Sequence, residues 1–354
     1  MKEKLDNIHI DFSTIDGADK DLNFVIASRH IGKTTTFLVR KSYPAWKNRG
    51  RSTILLFRMI ADISQFAIDY YLNLMNKYLD KPLTARISDA ACSKGIVPVI
   101  PEGYEKPIFW AVALSCGVTR LKKTAIPDAD FMLFDELEID PRNKEKYLKN
   151  EFQKFQALYD TQLKFSKCKF YGLTNPYSVV NPYFRGLGID TKKIVPTAFL
   201  KGSNWALWYP RLSKELAAKL KEENPLYKED DEYTQMAYNG EMVNDLNNHV
   251  EPMRGSYSLQ ILFRFEGEQF GVYMINPFDP DETKPTFYIK KDNTRSRRRD
   301  IYAFEFEDMI CGTSLVSNRE KNRLAHLKQA IRSQDFAVDD MITEHALQSI
   351  YNYL

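Results

Sequence analysis

The chain has 354 residues, 44% hydrophobic and 13% aromatic, with 50 Lys+Arg against 47 Asp+Glu. At roughly 150 residues per domain this is enough for two cores, and the 22 Phe and 20 Tyr exclude a disordered chain. A net charge of +3 excludes a uniformly basic coat protein but leaves room for a local basic patch. Cys92, Cys116, Cys168 and Cys311 show neither pairing nor metal-ligand spacing and read as free thiols. The first six residues lack the apolar core of a signal peptide, and no stretch reaches the roughly 20 apolar residues of a membrane span. A soluble, cytoplasmic protein is expected.

The first half alternates short β-rich apolar runs with helical patterns, as in an α/β protein with a mainly parallel sheet. Buried strands are expected over 22–26, 52–58, 108–114, 131–134 and 169–173, with the clearest helical periodicity over 60–79. Four of the strands run into polar residues, where open α/β sheets bind ligands.

The strand at 22–26 leads into Ala27, Ser28, Arg29, His30, Ile31, Gly32, Lys33, Thr34 and Thr35, a tight loop followed by a helix, the setting of a Walker A phosphate loop. Loop amides would donate to phosphate, Lys33 adds a point charge, and the Thr34 hydroxyl can ligate Mg2+. Ala27 stands where the motif has its first glycine, which alanine can replace if its φ is negative. The alternative is an ordinary strand-turn-helix with a surface lysine.

The strand at 131–134 ends in Asp135 and Glu136, as a Walker B strand does. Asp135 would hold the magnesium shell and Glu136 would polarise the attacking water. Solvated loop carboxylates are the alternative. The strand at 169–173 runs into Thr174 and Asn175, and Asn175 either senses the γ-phosphate or opens the turn at Pro176. Together these motifs point to an ASCE-type P-loop ATPase using ATP and Mg2+.

Beyond residue 205 a short amphipathic helix over 213–223 stops at Asn224-Pro225, and 228–232 is a run of charges. Strands follow at 257–265, 270–275 and 286–290, with a turn at 266–268 and helices over 317–333 and 339–353, giving an α+β C-terminal domain. Lys290, Lys291, Arg295, Arg297, Arg298 and Arg299 form the densest basic cluster, suited to phosphate-backbone contact without sequence readout. A solvated hairpin tip is the alternative. The strand at 257–265 carries no carboxylate, and Asp279 and Asp281 read as a turn, so no two-metal nuclease is expected.

The chain resembles the genome-packaging ATPases of small phi29-like podophages (Picovirinae type). The resemblance rests on 22–34, on Phe134-Asp135-Glu136, on Thr174-Asn175 with the block 178–184, and on Gly240-Glu241-Met242. It implies an ATPase domain at 1–205, a helical linker or lid at 206–248, and a degenerate RNase H-like domain at 249–354. It also implies a pentameric ring docked transiently in the host cytoplasm at the portal of an empty procapsid, driving double-stranded DNA inward, with a structural RNA as a further partner. By motif position, Arg29 takes the Walker A arginine role and Asn175 the coupling role. The family also places trans-acting basic residues between subunits. No arginine lies between Arg142 and Arg185, so Lys164 stands in for the finger, with Lys167 and Lys169 as competitors, and Lys122-Lys123 falls at a second trans position. The alternatives are a cellular or conjugative DNA pump, a P-loop kinase, and a non-catalytic relic of the fold.

Overall fold

A computed structural model describes residues 9–29, 31–139, 147–148, 150–177, 181–190, 193–211, 217–218, 222, 249–265, 267–276, 285–293, 301–304, 306–317, 324–333, 335–340, 343–344, 346–347 and 350. The chain forms two compact units, Met1–Val243 and Asn244–Leu354.

The first unit is built on an eight-stranded sheet. Its strands are β1 (Leu22–Ile26), β2 (Ser52–Phe57), β3 (Ile96–Val99), β4 (Phe109–Ala113), β5 (Ala129–Asp135), β6 (Lys169–Thr174), β7 (Phe199–Lys201) and β8 (Trp205–Trp208). They stand in the order β3-β4-β2-β5-β6-β1-β8-β7. The six inner strands are parallel, and β3 and β7 close the two edges antiparallel. β1 and β2 are buried at every position, as expected of strands covered on both faces.

The five strands expected from apolar runs all form, with ends moved by one or two residues. The short edge strands escape that reading: β3 is interrupted by Pro98 and β7 has only three residues. β8 lies across the expected end of the first domain at 205. Trp205 to Trp208 pair in parallel with Leu22 to Val25, so the linker expected to begin at 206 starts inside the first sheet.

The helical periodicity over 60–79 resolves into a 3-10 turn, Ile60–Asp62, and a helix confined to Gln65–Asn76. Ser64 starts that helix, its side chain accepting from Ala67 N at 3.2 Å. At the other end Asn76 bonds both Leu83 N and Leu83 O, turning the chain away.

Period-two alternation divides the sheet into two cores. Val25, Leu55, Leu133, Tyr171 and Leu173 face Phe37, Ile68 and Leu72. Phe24 and Phe170 point the other way, and Phe155 of the helix Glu151–Leu163 packs on Phe170 at 4.7 Å.

The second unit holds a six-stranded sheet of β9 (Tyr257–Phe265), β10 (Glu268–Ile275), β11 (Phe287–Lys291), β12 (Ile301–Ala303), β13 (Thr313–Leu315) and β14 (Phe336–Val338), ordered β13-β12-β9-β10-β11-β14. β9, β10 and β11 form an antiparallel meander, whereas β12 joins β9, β13 joins β12 and β14 joins β11 in parallel. The turn after β9 uses Gly267 at φ 83, a left-handed conformation that suits glycine. One face, with Ile261, Phe263, Phe270, Val272 and Ile289, packs on Leu327 and Ala330 of the helix Ala325–Arg332. That helix is the described part of the one expected over 317–333. Of the helix expected over 339–353, residues 339–340 form a bend and residues 343–344, 346–347 and 350 are helical. The helix expected at 213–223, the charge run at 228–232, Gly240-Glu241-Met242 and the turn carrying Asp279 and Asp281 lie largely or wholly outside the described residues.

Candidate active site

The C-terminal ends of β1, β6 and β5 lie side by side, because β6 is inserted between the other two. The chain leaves β1 through Ala27, which does not adopt a left-handed backbone, so the methyl group in place of glycine is accommodated. Ala27 N donates to Thr174 O at 3.0 Å, tying the loop to β6. Gly32 does adopt the left-handed conformation, φ 62, directly before the helix Lys33–Phe37. A Cβ at Gly32 would lie 2.3 Å from the His9 ring, so glycine is required there on two counts. From outside, Ile10 N donates to Ile31 O at 2.9 Å, and Tyr78 packs edge-on against His9.

Lys33 Nζ donates to Ala27 O at 2.6 Å, Ser28 O at 2.9 Å and Asn175 Oδ1 at 2.9 Å. The phosphate-loop lysine and the strand-end asparagine, separated by 142 residues, are thus joined directly. Burial pulls the Lys33 ammonium down to about 7, against the opposing attraction of Asp135. Thr34 Oγ1 lies 2.9 Å from both carboxylate oxygens of Asp135. Burial and the neighbouring Glu136 push the Asp135 carboxyl up to about 6, offset in part by the Thr34 hydrogen bond and Lys33. Glu136 follows at φ 61, a left-handed conformation uncommon for a residue with a side chain, and is exposed.

Two groups have no signal in the sequence. Tyr177 OH accepts from Arg29 Nη2 at 2.6 Å and from Asn175 Nδ2 at 3.3 Å, so Arg29, Tyr177, Asn175 and Lys33 form one chain of hydrogen bonds. Arg58, at the end of β2, pairs with Glu151 at 3.0 Å, and its Nη2 donates to Leu137 O at 2.8 Å. Burial lowers the arginine's proton affinity, but Glu151 together with Tyr183 and Tyr147 outweighs it and the net shift is upward. Nothing in the local sequence marks Glu151, whose side chain is fully buried.

Thr35 is buried in the helix beyond Thr34, and His30 lies outside the described residues. Lys122 and Lys164 are exposed caps of the helices Val118–Leu121 and Glu151–Leu163, linked by Thr161 Oγ1 donating to Lys122 O at 3.3 Å. Neither makes a described hydrogen bond or ion pair with the phosphate loop. Lys169, a competitor for the finger, is held by Asp19 at 2.6 Å. In the second unit Lys290 lies over the Tyr273 ring at 4.9 Å and Lys291 pairs with Glu268 at 2.7 Å. Arg295, Arg297, Arg298 and Arg299 lie outside the described residues.

A phosphate loop ending in Gly32-Lys33-Thr34, a carboxylate pair two strands away and a polar strand end between them make the arrangement of a P-loop fold of the inserted-strand class. Over residues 8–351 the chain matches the model of the Podovirus DNA encapsidation protein (Gp16), and it belongs to that family. The fold is similar to that in the bacteriophage Phi-29 viral genome packaging motor assembly, with a TM-score of 0.70 and 19% identity over 98% of this chain and 99% of that one. The Phi-28 gp11 DNA packaging motor is similar as well, with a TM-score of 0.62 and 16% identity over 98% of each chain. No curated protein matches the chain by sequence.

Proposed function

We propose that the chain is the ATP-hydrolysing subunit of a podovirus motor that moves double-stranded DNA into a procapsid through its portal. The carrying observation is the convergence of Lys33, Thr34, Asp135 and Asn175 at three adjacent strand ends, in a chain of the encapsidation family. Membership in that family favours this reading over a kinase or a conjugative pump.

The residues fit a magnesium nucleotide. Thr34 and Asp135 supply hard oxygen donors, and Ser28 Oγ is buried beside the loop with no partner among the described residues. Bound magnesium would offset phosphate charge as that charge develops. Loop amides and Lys33 hold and orient the phosphates, Asp135 accepts from Thr34 and keeps it aimed, and Glu136 takes the proton of the attacking water. Asn175, bonded to Lys33 and Tyr177, is poised to report a change at the phosphates to the segment that follows β6.

Glu136→Gln tests the assignment: ATP binding measured by calorimetry should persist, while DNA-stimulated turnover in the presence of portal-bearing procapsids should disappear. Undiminished turnover would refute it.

The finer reading has an ATPase domain through Trp208, a linker, and an RNase H-like C-terminal domain. Its support is the second sheet, in which a three-stranded antiparallel meander is extended on the β9 side by two parallel strands. β9 has no carboxylate, which favours a domain that contacts nucleic acid without cutting it. A pentameric ring in the host cytoplasm, with Lys164 or Lys122 acting on a neighbour's nucleotide, accounts for these lysines being exposed away from their own loop. The basic run from Lys290 to Arg299 would contact DNA or a structural RNA through phosphates.

A further inference from the structure

The residues after Glu136 are held from several sides. Leu137 N donates to Leu173 O at 3.0 Å, and Leu137 O accepts from Arg58. Glu138, 2% exposed, accepts at Oε1 from Asn181 Nδ2 at 3.0 Å. Asn181 is equally buried, and its Oδ1 accepts from Tyr183 N at 3.0 Å and Phe184 N at 2.9 Å, capping the helix Pro182–Gly186. Those two amides dictate the carboxamide's orientation: its oxygen must face the helix, so its NH2 must face Glu138. Tyr183 OH in turn donates to Glu151 Oε1 at 2.9 Å, the carboxylate that holds Arg58.

We infer that Asn181 is a positioning residue for the hydrolytic step, holding Glu136 in place through Glu138. The left-handed backbone at Glu136 is unfavourable for a residue with a side chain and persists only where its surroundings impose it. Asn181 and Glu138 are part of that imposition. Asn181 lies six residues beyond Asn175 in the sequence, so the same bond ties the segment leaving β6 to the loop leaving β5. Among the described residues its side chain bonds Glu138, Tyr183 and Phe184 and neither Lys33 nor Thr34, so it sets the position of the base without setting nucleotide affinity. The inference rests on the assignment of Glu136 as the general base.

Asn181→Asp isolates the bond. An aspartate oxygen keeps both helix-cap hydrogen bonds and places a second carboxylate against Glu138. ATPase kcat should fall between about ten- and a hundredfold, as expected for a displaced catalytic group. Nucleotide affinity, measured by calorimetry, should stay within roughly twofold. Adding Glu138→Gln to Asn181→Asp restores a donor facing an acceptor and leaves one buried charge, so the exchange pair should recover kcat to within about threefold of the parent. An unchanged kcat in Asn181→Asp overturns the inference, as does a folded exchange pair that stays slow. If the single variant does not fold, the exchange pair decides alone. Glu136→Gln, run alongside, separates the two ideas. Full turnover there removes the general-base assignment, whereas a dead Glu136→Gln beside a fully active Asn181→Asp removes only the role of Asn181.

Discussion

The two units differ at a single buried carboxylate, since Asp292 and Asp308 of the second are hydrogen-bonded by Tyr273 OH and Gly267 N. In the first, the charged groups beneath the strand ends are paired: Arg58 with Glu151, Glu138 with Asn181, Asp135 with Thr34, Lys33 with two carbonyls and Asn175. Among the described residues its unpartnered buried side-chain atoms are neutral oxygens of Asn23, Ser28 and Thr36. In the second unit, Glu344 is buried, as are Ala346, Leu347 and Ile350, its Oε2 has no hydrogen-bond partner among the described residues, and burial pushes its carboxyl up to about 8. Where charge is needed for chemistry the fold supplies partners. In the second unit a carboxyl stays buried by holding its proton.

This contrast can be broken first at the phosphate loop. Gly32→Ala adds a Cβ to a left-handed residue and drives it into His9, so ATP affinity measured by calorimetry should fall by more than about tenfold. The second unit, probed by its own unfolding transition, should not respond.

Next comes Glu151→Ala, which leaves Arg58 buried without its counter-ion. The first unit should lose about 3–5 kcal/mol in denaturant unfolding. A loss below about 1 kcal/mol would mean that water or a neighbour replaces Glu151.

Glu344→Gln should act with the opposite sign and depend on pH. The folded value of about 8 lies above the ordinary 4.5, so the folded state holds the proton more tightly than the unfolded one. Glu344's contribution to the second unit's stability is therefore fully present below about pH 4.5, is lost as pH rises through the window up to about 8, and changes no further above it. The substitution should raise the Tm of the second unit by roughly a few degrees at pH 8.5 and leave it unchanged near pH 4.5. An equal gain at both pH values would show that the charge is not the cause.

The smallest effect is expected at Lys290, already engaged over Tyr273. Lys290→Ala should reduce the salt slope of DNA binding by no more than about 0.9 and weaken all sequences alike.

Much of the first unit was legible before folding. Strands buried on both faces announce themselves as continuous apolar runs, and β1, β2, β4, β5 and β6 all lie where those runs stand. The helix Gln65–Asn76 was legible in kind but not in extent, because periodicity runs past the Ser64 cap that starts it. β3, β7, β8 and the helix Glu151–Leu163 were missed. β8 is recognisable only through its pairing with β1, and the helix buries Glu151 and Gln162, which no hydrophobic pattern assigns to a core. The candidate site divides in the same way. Lys33, Thr34, Asp135, Glu136 and Asn175 stand at apolar strand ends and could be named from sequence. Tyr177, Arg58, Glu138 and Asn181 could not, since each is an ordinary polar residue until its partner is known.

The sequence by itself determined the class of chemistry, because a phosphate loop and a strand-end carboxylate pair are local patterns set by backbone geometry and residue type. Only the tertiary structure decided which side chains cooperate. Lys33 meets Asn175 across 142 residues and Arg58 meets Glu151 across 93. Such contacts depend on strand order, and strand order follows from how buried surfaces pair across the whole sheet, which no window of sequence contains.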